Sequence, residues 1–193
     1  RGTLEEELAR KVKETKNPRH FIPKESSSHY DASLIASPEL KFPCEFGGFV
    51  ETSGEYYIKL EDGKSTPAPW SNVIANENVF GFLTTETGAG VTWSNNSHEN
   101  RLTGWSNDAV RNMPPECVFL RDEETGSFCT PTALPIRESS PYTISHGQGY
   151  SIYRHTSHGV DQELLVFAPV AGNVMLSRLR LKNLTNRHRN ISI

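Results

Sequence analysis

Tyr142-Thr-Ile-Ser-His-Gly-Gln-Gly-Tyr-Ser-Ile-Tyr-Arg-His-Thr-Ser-His-Gly-Val-Asp-Gln-Glu-Leu-Leu-Val-Phe167 is the stretch that decides the fold. Three short runs, Tyr142–Ser145, Tyr150–His155 and Val160–Phe167, are rich in aromatic and β-branched residues and are separated by glycine-containing breaks. That is the signature of strands joined by tight turns. Ser157-His-Gly159 reads as a turn between two of them. The glycines on either side of Gln148 permit positive φ or a close backbone approach, so His146-Gly-Gln-Gly-Tyr150 reads as a bulge or a ligand-facing kink, the bulge being favoured.

Outward from this stretch the same pattern continues. Met175–Leu181 places Met175, Leu179 and Leu181 on one face and Arg178 and Arg180 on the other, and Ile191–Ile193 starts a further strand. Upstream, Phe46–Val50 and Glu55–Leu60 flank Thr52-Ser-Gly54, and Asp62-Gly63 turns the chain again. Val79–Leu83 and Val91–Trp93 bracket Glu86–Gly90, while Cys117–Leu120 and Ser127–Cys129 bracket Asp122–Gly126. No helical period intervenes, which predicts an all-β sandwich over residues 44–193.

Residues 1–17 differ. Leu4, Leu8 and Val12 recur at four-residue spacing, with acidic residues early, basic residues late and Thr3 with Glu6 as a capping box. This predicts a short amphipathic connector helix, ended at Asn17-Pro18. Residues 18–43 are rich in Pro, Ser and His and read as a linker.

Composition narrows the function. The chain has 193 residues and a net charge of -3, with no basic face, so nucleic acid is not an expected partner. Mean hydropathy is -0.54, no apolar run reaches the ~18 residues of a membrane span, and no signal peptide is visible. Cys44, Cys117 and Cys129 are odd in number and lack CxxC spacing, which fits a reducing, cytoplasmic setting and argues against structural zinc. His146, His155, His158 and Asp161 complete no metal-ligand set, because strand neighbours point to opposite faces, and no metal is expected. The start at an arginine and the stop within an apparent strand give the chain the look of a piece of a longer protein.

The segment with most potential chemistry runs from Trp93 to Asp108. It gathers Trp93, Glu99, Asn100, Arg101, Trp105 and Asp108 with little hydrophobic alternation. Indole faces cover sugar C–H surfaces, and short amides, carboxylates and a guanidinium exchange hydrogen bonds with hydroxyls. An ordered loop whose tryptophans fill core and whose asparagines satisfy turns has the same composition, so both readings stay open. No nucleophile elbow, phosphate loop or dinucleotide fingerprint is present. Glu86, Glu99 and Asp108 qualify as glycosidase carboxylates by residue type only.

A dozen stretches carry a family resemblance in order, among them Thr66-Pro-Ala-Pro-Trp-Ser-Asn-Val-Ile-Ala-Asn76, Glu86-Thr-Gly-Ala-Gly90 and the Trp93–Asp108 segment. Arg121-Asp-Glu-Glu-Thr-Gly126, Pro131-Thr-Ala-Leu-Pro-Ile-Arg137, His146–Tyr150 and Ser177-Arg-Leu-Arg-Leu181 follow. With these the chain after Pro43 resembles the N-terminal domain of glycoside hydrolase family 94, the inverting glycoside phosphorylases. Within it, the resemblance is greatest to the phosphorylase region of cyclic β-1,2-glucan synthases. Gly104 stands where a proline is expected before the second tryptophan.

The resemblance implies a galactose-mutarotase-like β super-sandwich, incomplete at its C-terminal side. It implies a non-catalytic domain that supports trimming of β-1,2-glucan, with the general acid and the phosphate site in an α/α toroid further along the same chain. Inorganic phosphate would be the co-substrate of the whole enzyme, and this piece would hold no cofactor. Its partners would be a β-glucan oligosaccharide, the toroid and a second copy in a homodimer, with the full-length protein at the bacterial inner membrane. The alternatives are the corresponding domain of a free-standing phosphorylase acting on cellobiose, chitobiose or β-1,2-oligoglucans, a stand-alone sugar-binding module, and a scaffold with no sugar contact.

Overall fold

The computed structural model describes residues 37–105, 108 and 110–193. The helix and most of the linker expected over residues 1–36 lie outside them. The described residues form thirteen strands: β1 (Leu40–Lys41), β2 (Gly47–Val50), β3 (Tyr56–Leu60), β4 (Ser71–Ala75), β5 (Phe80–Thr85), β6 (Gly90–Ser94), β7 (Leu120–Asp122), β8 (Phe128–Cys129), β9 (Tyr142–Gly147), β10 (Tyr150–Ser157), β11 (Val160–Phe167), β12 (Leu176–Asn183) and β13 (Ile191–Ser192). The all-β expectation holds. β1 and β4 were not anticipated, and β1 falls within the stretch read as linker.

A seven-stranded sheet in the order β1-β2-β3-β9-β10-β11-β12 carries the quoted stretch at its centre, and all its pairs are antiparallel. Two three-stranded sheets, β4-β5-β6 and β13-β7-β8, complete the architecture. Register fixes the inward face of the large sheet. Ile58 lies opposite Ile144, Ile144 opposite Tyr153, Tyr153 opposite Leu164 and Leu164 opposite Leu179, so these five share one side. Ile74, Phe80 and Phe82 of the small sheet join the same core, together with Leu60, Tyr142 and Val166. Each such fully buried apolar side chain contributes about 1.5–3 kcal/mol. The two sheets are also tied by polar groups. Tyr153 on β10 donates to the carbonyl of Thr85 on β5 at 2.7 Å and lies 2.6 Å from Thr84 Oγ1, while Asn72 Nδ2 on β4 reaches the carbonyls of Gly147 and Tyr150 at 2.9 Å.

The turns follow from residue chemistry. His158 and Gly159 both have positive φ, at 48° and 75°, and connect β10 to β11 as a two-residue turn of the type whose twist matches the flanking strands. The His146–Tyr150 motif is neither bulge nor kink. Gly147 pairs directly with Tyr150, so Gln148-Gly149 is a second two-residue hairpin turn, with φ of 86° at Gly149. Gly147 is required for a different reason: a Cβ there would lie 2.3 Å from the Tyr150 ring, which folds over it and donates to Glu55 at 2.7 Å.

Candidate functional site

β6 ends at Ser94, and the chain reverses over residues 95–100 before pairing back on the same strand. Arg101 forms a bridge with Trp93, and the N–H of Leu102 donates to the carbonyl of Thr92 at 2.8 Å. The reversal is held by its own amides. Asn96 Oδ1 accepts from the N–H groups of His98 and Glu99 at 2.8 and 3.0 Å, and Asn100 Nδ2 donates to the carbonyl of Ser94 at 2.9 Å. Asn95 takes a φ of 66°, and its N–H donates to the carbonyl of Val79 in the β4–β5 turn. The loop therefore sits at the end of the sandwich where that turn lies, beside the β11–β12 connection that Asn76 Nδ2 reaches through the carbonyls of Pro169 and Gly172.

Trp93 is not a core residue, and neither is Trp105, which is 39% exposed. Gly81 pairs with Trp93, so both face away from the core, since their strand neighbours Phe80 and Phe82 face into it. The indole lies across the bare glycine: a Cβ on Gly81 would be 2.6 Å from Trp93 Cζ2. The Trp93–Arg101 bridge puts the arginine on that same outer face, beside the half-buried ring. Arg101 is exposed, with Nε donating to the carbonyl of Ser97 at 2.9 Å, and Glu99 is exposed on the loop. Asp108 stands apart in role. Its Oδ1 accepts from the N–H groups of Val110 and Arg111 at 3.0 and 3.1 Å, which makes it a turn cap. Of the six residues singled out in the sequence, Asn100 and Asp108 hold backbone, Trp93 and Arg101 share a surface, and Glu99 and Trp105 are exposed in the same segment.

Glu86 is buried, and burial raises its pKa despite hydrogen bonds that favour the carboxylate. Both oxygens are committed: Thr66 Oγ1 donates to one and the Trp70 N–H to the other, each at 2.7 Å. This carboxylate fastens the proline-rich segment to the small sheet and has no open side for a glycosidic oxygen.

Sequence reasoning missed a second polar constellation. Glu138 receives Ser157 Oγ at 2.7 Å and His155 Nε2 at 2.8 Å, and His158 Nε2 lies 3.0 Å away. The expectation that His155 and His158 point apart is corrected here. His158 leaves the strand at the turn, and its left-handed backbone swings the ring toward the carboxylate that His155 also meets. Burial alone would raise the Glu138 carboxyl, but the hydrogen bonds from His155, His158 and Ser157 outweigh it and bring it down to about 2. Tyr142 stacks on His155 with ring centroids 3.7 Å apart. Nearby, Arg189 pairs with Asp122 and also donates to the carbonyl of His158. His146 stands elsewhere, its Nε2 toward the Trp70 carbonyl and its Nδ1 toward Ser151, and burial lowers its pKa to about 4. Among the described residues no group of three or more His, Cys, Asp or Glu could hold a metal ion, and no helix is long and apolar enough to cross a membrane.

Comparison with known proteins agrees with the architecture. The family model described as glycosyl hydrolase 94, supersandwich domain, matches residues 54–193. A cyclic beta-(1,2)-glucan synthase, NdvB, of Rhizobium meliloti (strain 1021) is 39% identical over 156 residues, covering 80% of this chain and 6% of that protein. The N,N'-diacetylchitobiose phosphorylase of Vibrio furnissii is 26% identical over 151 residues, covering 77% of this chain and 18% of its own length. A 3-O-beta-D-glucopyranosyl-beta-D-glucuronide phosphorylase of Paenibacillus borealis is 27% identical over 149 residues. The chain thus spans less than a fifth of the length of each of these relatives. With its large antiparallel sheet packed on smaller ones and a family match over most of its length, this chain belongs to the glycosyl hydrolase 94 supersandwich domain family.

Proposed function

We propose that the chain is a non-catalytic, carbohydrate-contacting sandwich domain of a longer enzyme, the phosphorylase part of a cyclic β-1,2-glucan synthase. The observation that carries the sugar contact is the Trp93 indole packed against Gly81 on the outside of the small sheet, with Arg101 beside it. A ring held by a bare glycine offers a rigid apolar face, and the adjacent guanidinium offers donors in a fixed fork. Glu99 and Trp105 are exposed in the same segment and available to the same ligand. The greater identity to the synthase than to the phosphorylases favours the β-1,2-glucan reading.

Catalysis is assigned elsewhere. Glu86 is buried with both oxygens committed to Thr66 and Trp70, and Asp108 is used through Oδ1 as a turn cap, with its other oxygen toward Arg111. In this reading a C-terminal α/α toroid of the same chain supplies the general acid and the phosphate site, and inorganic phosphate serves as nucleophile and co-substrate. The sandwich supports that toroid and a homodimer contact on the cytoplasmic side of a bacterial inner membrane.

The test uses the full-length enzyme. Trp93→Ala and Arg101→Ala should each lower kcat/KM for phosphorolysis of linear β-1,2-glucan ~3–10-fold, the size of one lost aromatic or polar contact. Arg101→Ala should cost about 0.5 kcal/mol or less of stability, as exposed positions do. Wild-type rates in both variants would make this end of the domain plain scaffold.

A further inference from the structure

The seven-stranded sheet has a second face. Two rows of residues cross it side by side, each residue flanking a core-facing neighbour on its strand. In one row Tyr57, Ser145 and Ile152 lie opposite one another in turn, and in the next Lys59, Thr143, Arg154 and Glu163 do. A recess of about 230 Å3 lies where the rows adjoin, and Glu55, Tyr57, Thr143, Ser145 and Arg154 line it. Tyr57 is 5% exposed and Thr143 3%, yet among the described residues neither hydroxyl has a hydrogen-bond partner. Buried hydroxyls are ordinarily satisfied, and leaving one bare is costly. Two bare hydroxyls in one recess, on strands that pair with each other, mark a place that a further donor and acceptor would complete.

The charged groups set the class of that molecule. Among the described residues, Glu55 and Arg154 are the charged members of the lining, so the recess carries no net charge. The Glu55 oxygens accept from Tyr150 at 2.7 Å and Ser53 at 3.0 Å and keep further lone pairs. Arg154 meets Glu163 through Nε at 3.0 Å, and Glu163 also takes Arg178 and Arg180 at 3.5 and 3.9 Å. Lys59, opposite Thr143, is paired with Glu61 at 2.9 Å. An anion would meet Glu55, and a cation would meet Arg154. A neutral molecule with adjacent hydroxyls can accept from the guanidinium, donate to the carboxylate and satisfy Tyr57 and Thr143 together. The volume is below the ~300–1,000 Å3 of sites for drug-sized ligands and suits a single ring. We propose that this recess is a second carbohydrate site, which takes one neutral sugar residue. It is independent of the Trp93 surface, which lies on the outside of the small sheet.

The experiment is amide NMR of the 193-residue chain titrated with glucose and, separately, with inorganic phosphate. Glucose should shift the amides of Tyr57, Thr143, Ser145 and Arg154 with a Kd of about 1–10 mM, the weak binding expected of one small ring. Arg101→Ala should leave those shifts as they are. Thr143→Val and Tyr57→Phe each keep the shape of the side chain and delete one bare hydroxyl. Both should bind glucose ~3–10-fold more weakly, the worth of one hydrogen bond. Neither should lower Tm, because the deleted hydroxyl has no partner in the free protein, and this separates loss of a contact from loss of the fold. Unmoved amides at roughly 50 mM glucose overturn the proposal. So do unchanged affinity in both variants, shifts that vanish in Arg101→Ala, and phosphate that moves the same amides at lower concentration than glucose. A Tm that falls in both variants also overturns it, since ordered water would then already satisfy the hydroxyls.

Discussion

The Trp93–Asp108 loop and the Glu138 cluster are both crowded with polar side chains, yet they are built on opposite plans. In the loop, each amide or carboxylate that holds structure bonds to backbone within a few residues: Asn96 to Glu99, Asn100 to Ser94, Asp108 to Arg111. Its contacts are local, and the groups left over face outward. In the cluster, Glu138 joins an irregular segment to β10 and to the following turn across 17 to 20 residues, and two of its three side-chain partners, His155 and Ser157, are buried. Local satisfaction frees a surface for a ligand, whereas satisfaction at a distance uses the same chemistry to fasten segments.

Removing a keystone should separate the two plans most sharply. Glu138→Ala strands the wholly buried His155 ring and the Ser157 hydroxyl, and it should cost about 3 kcal/mol, the loss typical of breaking a buried pair from one side. Equilibrium urea unfolding measures it; a loss below about 1 kcal/mol would mean that the cluster fastens nothing.

Gly81→Ala should have the next largest effect. Its methyl group would meet the Trp93 ring, so the ring must shift, at a cost of ~1–2 kcal/mol. Tryptophan fluorescence should register the displaced indole, and the full-length enzyme should lose glucan affinity along with it. An unmoved emission spectrum would contradict the platform.

The smallest effect is a pH profile. His158 is raised by its hydrogen bond to Glu138, so its contribution is complete below the ordinary histidine value and fades as pH climbs through the raised one. Glu138 is lowered to about 2, so its contribution is present above the ordinary carboxylate value and is lost as pH falls toward 2. Stability from this cluster should therefore be greatest between the ordinary carboxylate and histidine values. His158→Ala should flatten the alkaline limb of the Tm–pH curve and leave the acid limb in place.

How much of this was legible in the chain depended on distance. The central strands could be read because Tyr153, Leu164 and Val166 alternate cleanly, and the His158-Gly159 turn announced itself by residue type. β4 escaped because only Ile74 of Ser71–Ala75 is buried, which leaves no alternation to detect. His146–Tyr150 misled because a glycine pair inside a strand pattern is also what a hairpin turn looks like. The Trp93–Arg101 surface was flagged by composition, but its support, Gly81, is visible only once β5 and β6 are paired. Glu138 gave no signal at all, since nothing in Pro-Ile-Arg-Glu-Ser-Ser-Pro foretells two histidines from the next hairpin.

The pairing of Asp122 with Arg189 spans 67 positions. A ribosome adding about 5–20 residues per second takes roughly 3–13 s to cover that distance. For that interval the hairpin from Leu120 to Cys129 is outside the ribosome's active centre while the guanidinium that neutralises its inward carboxylate does not yet exist. Assembly of the β13-β7-β8 sheet is thus timed by synthesis.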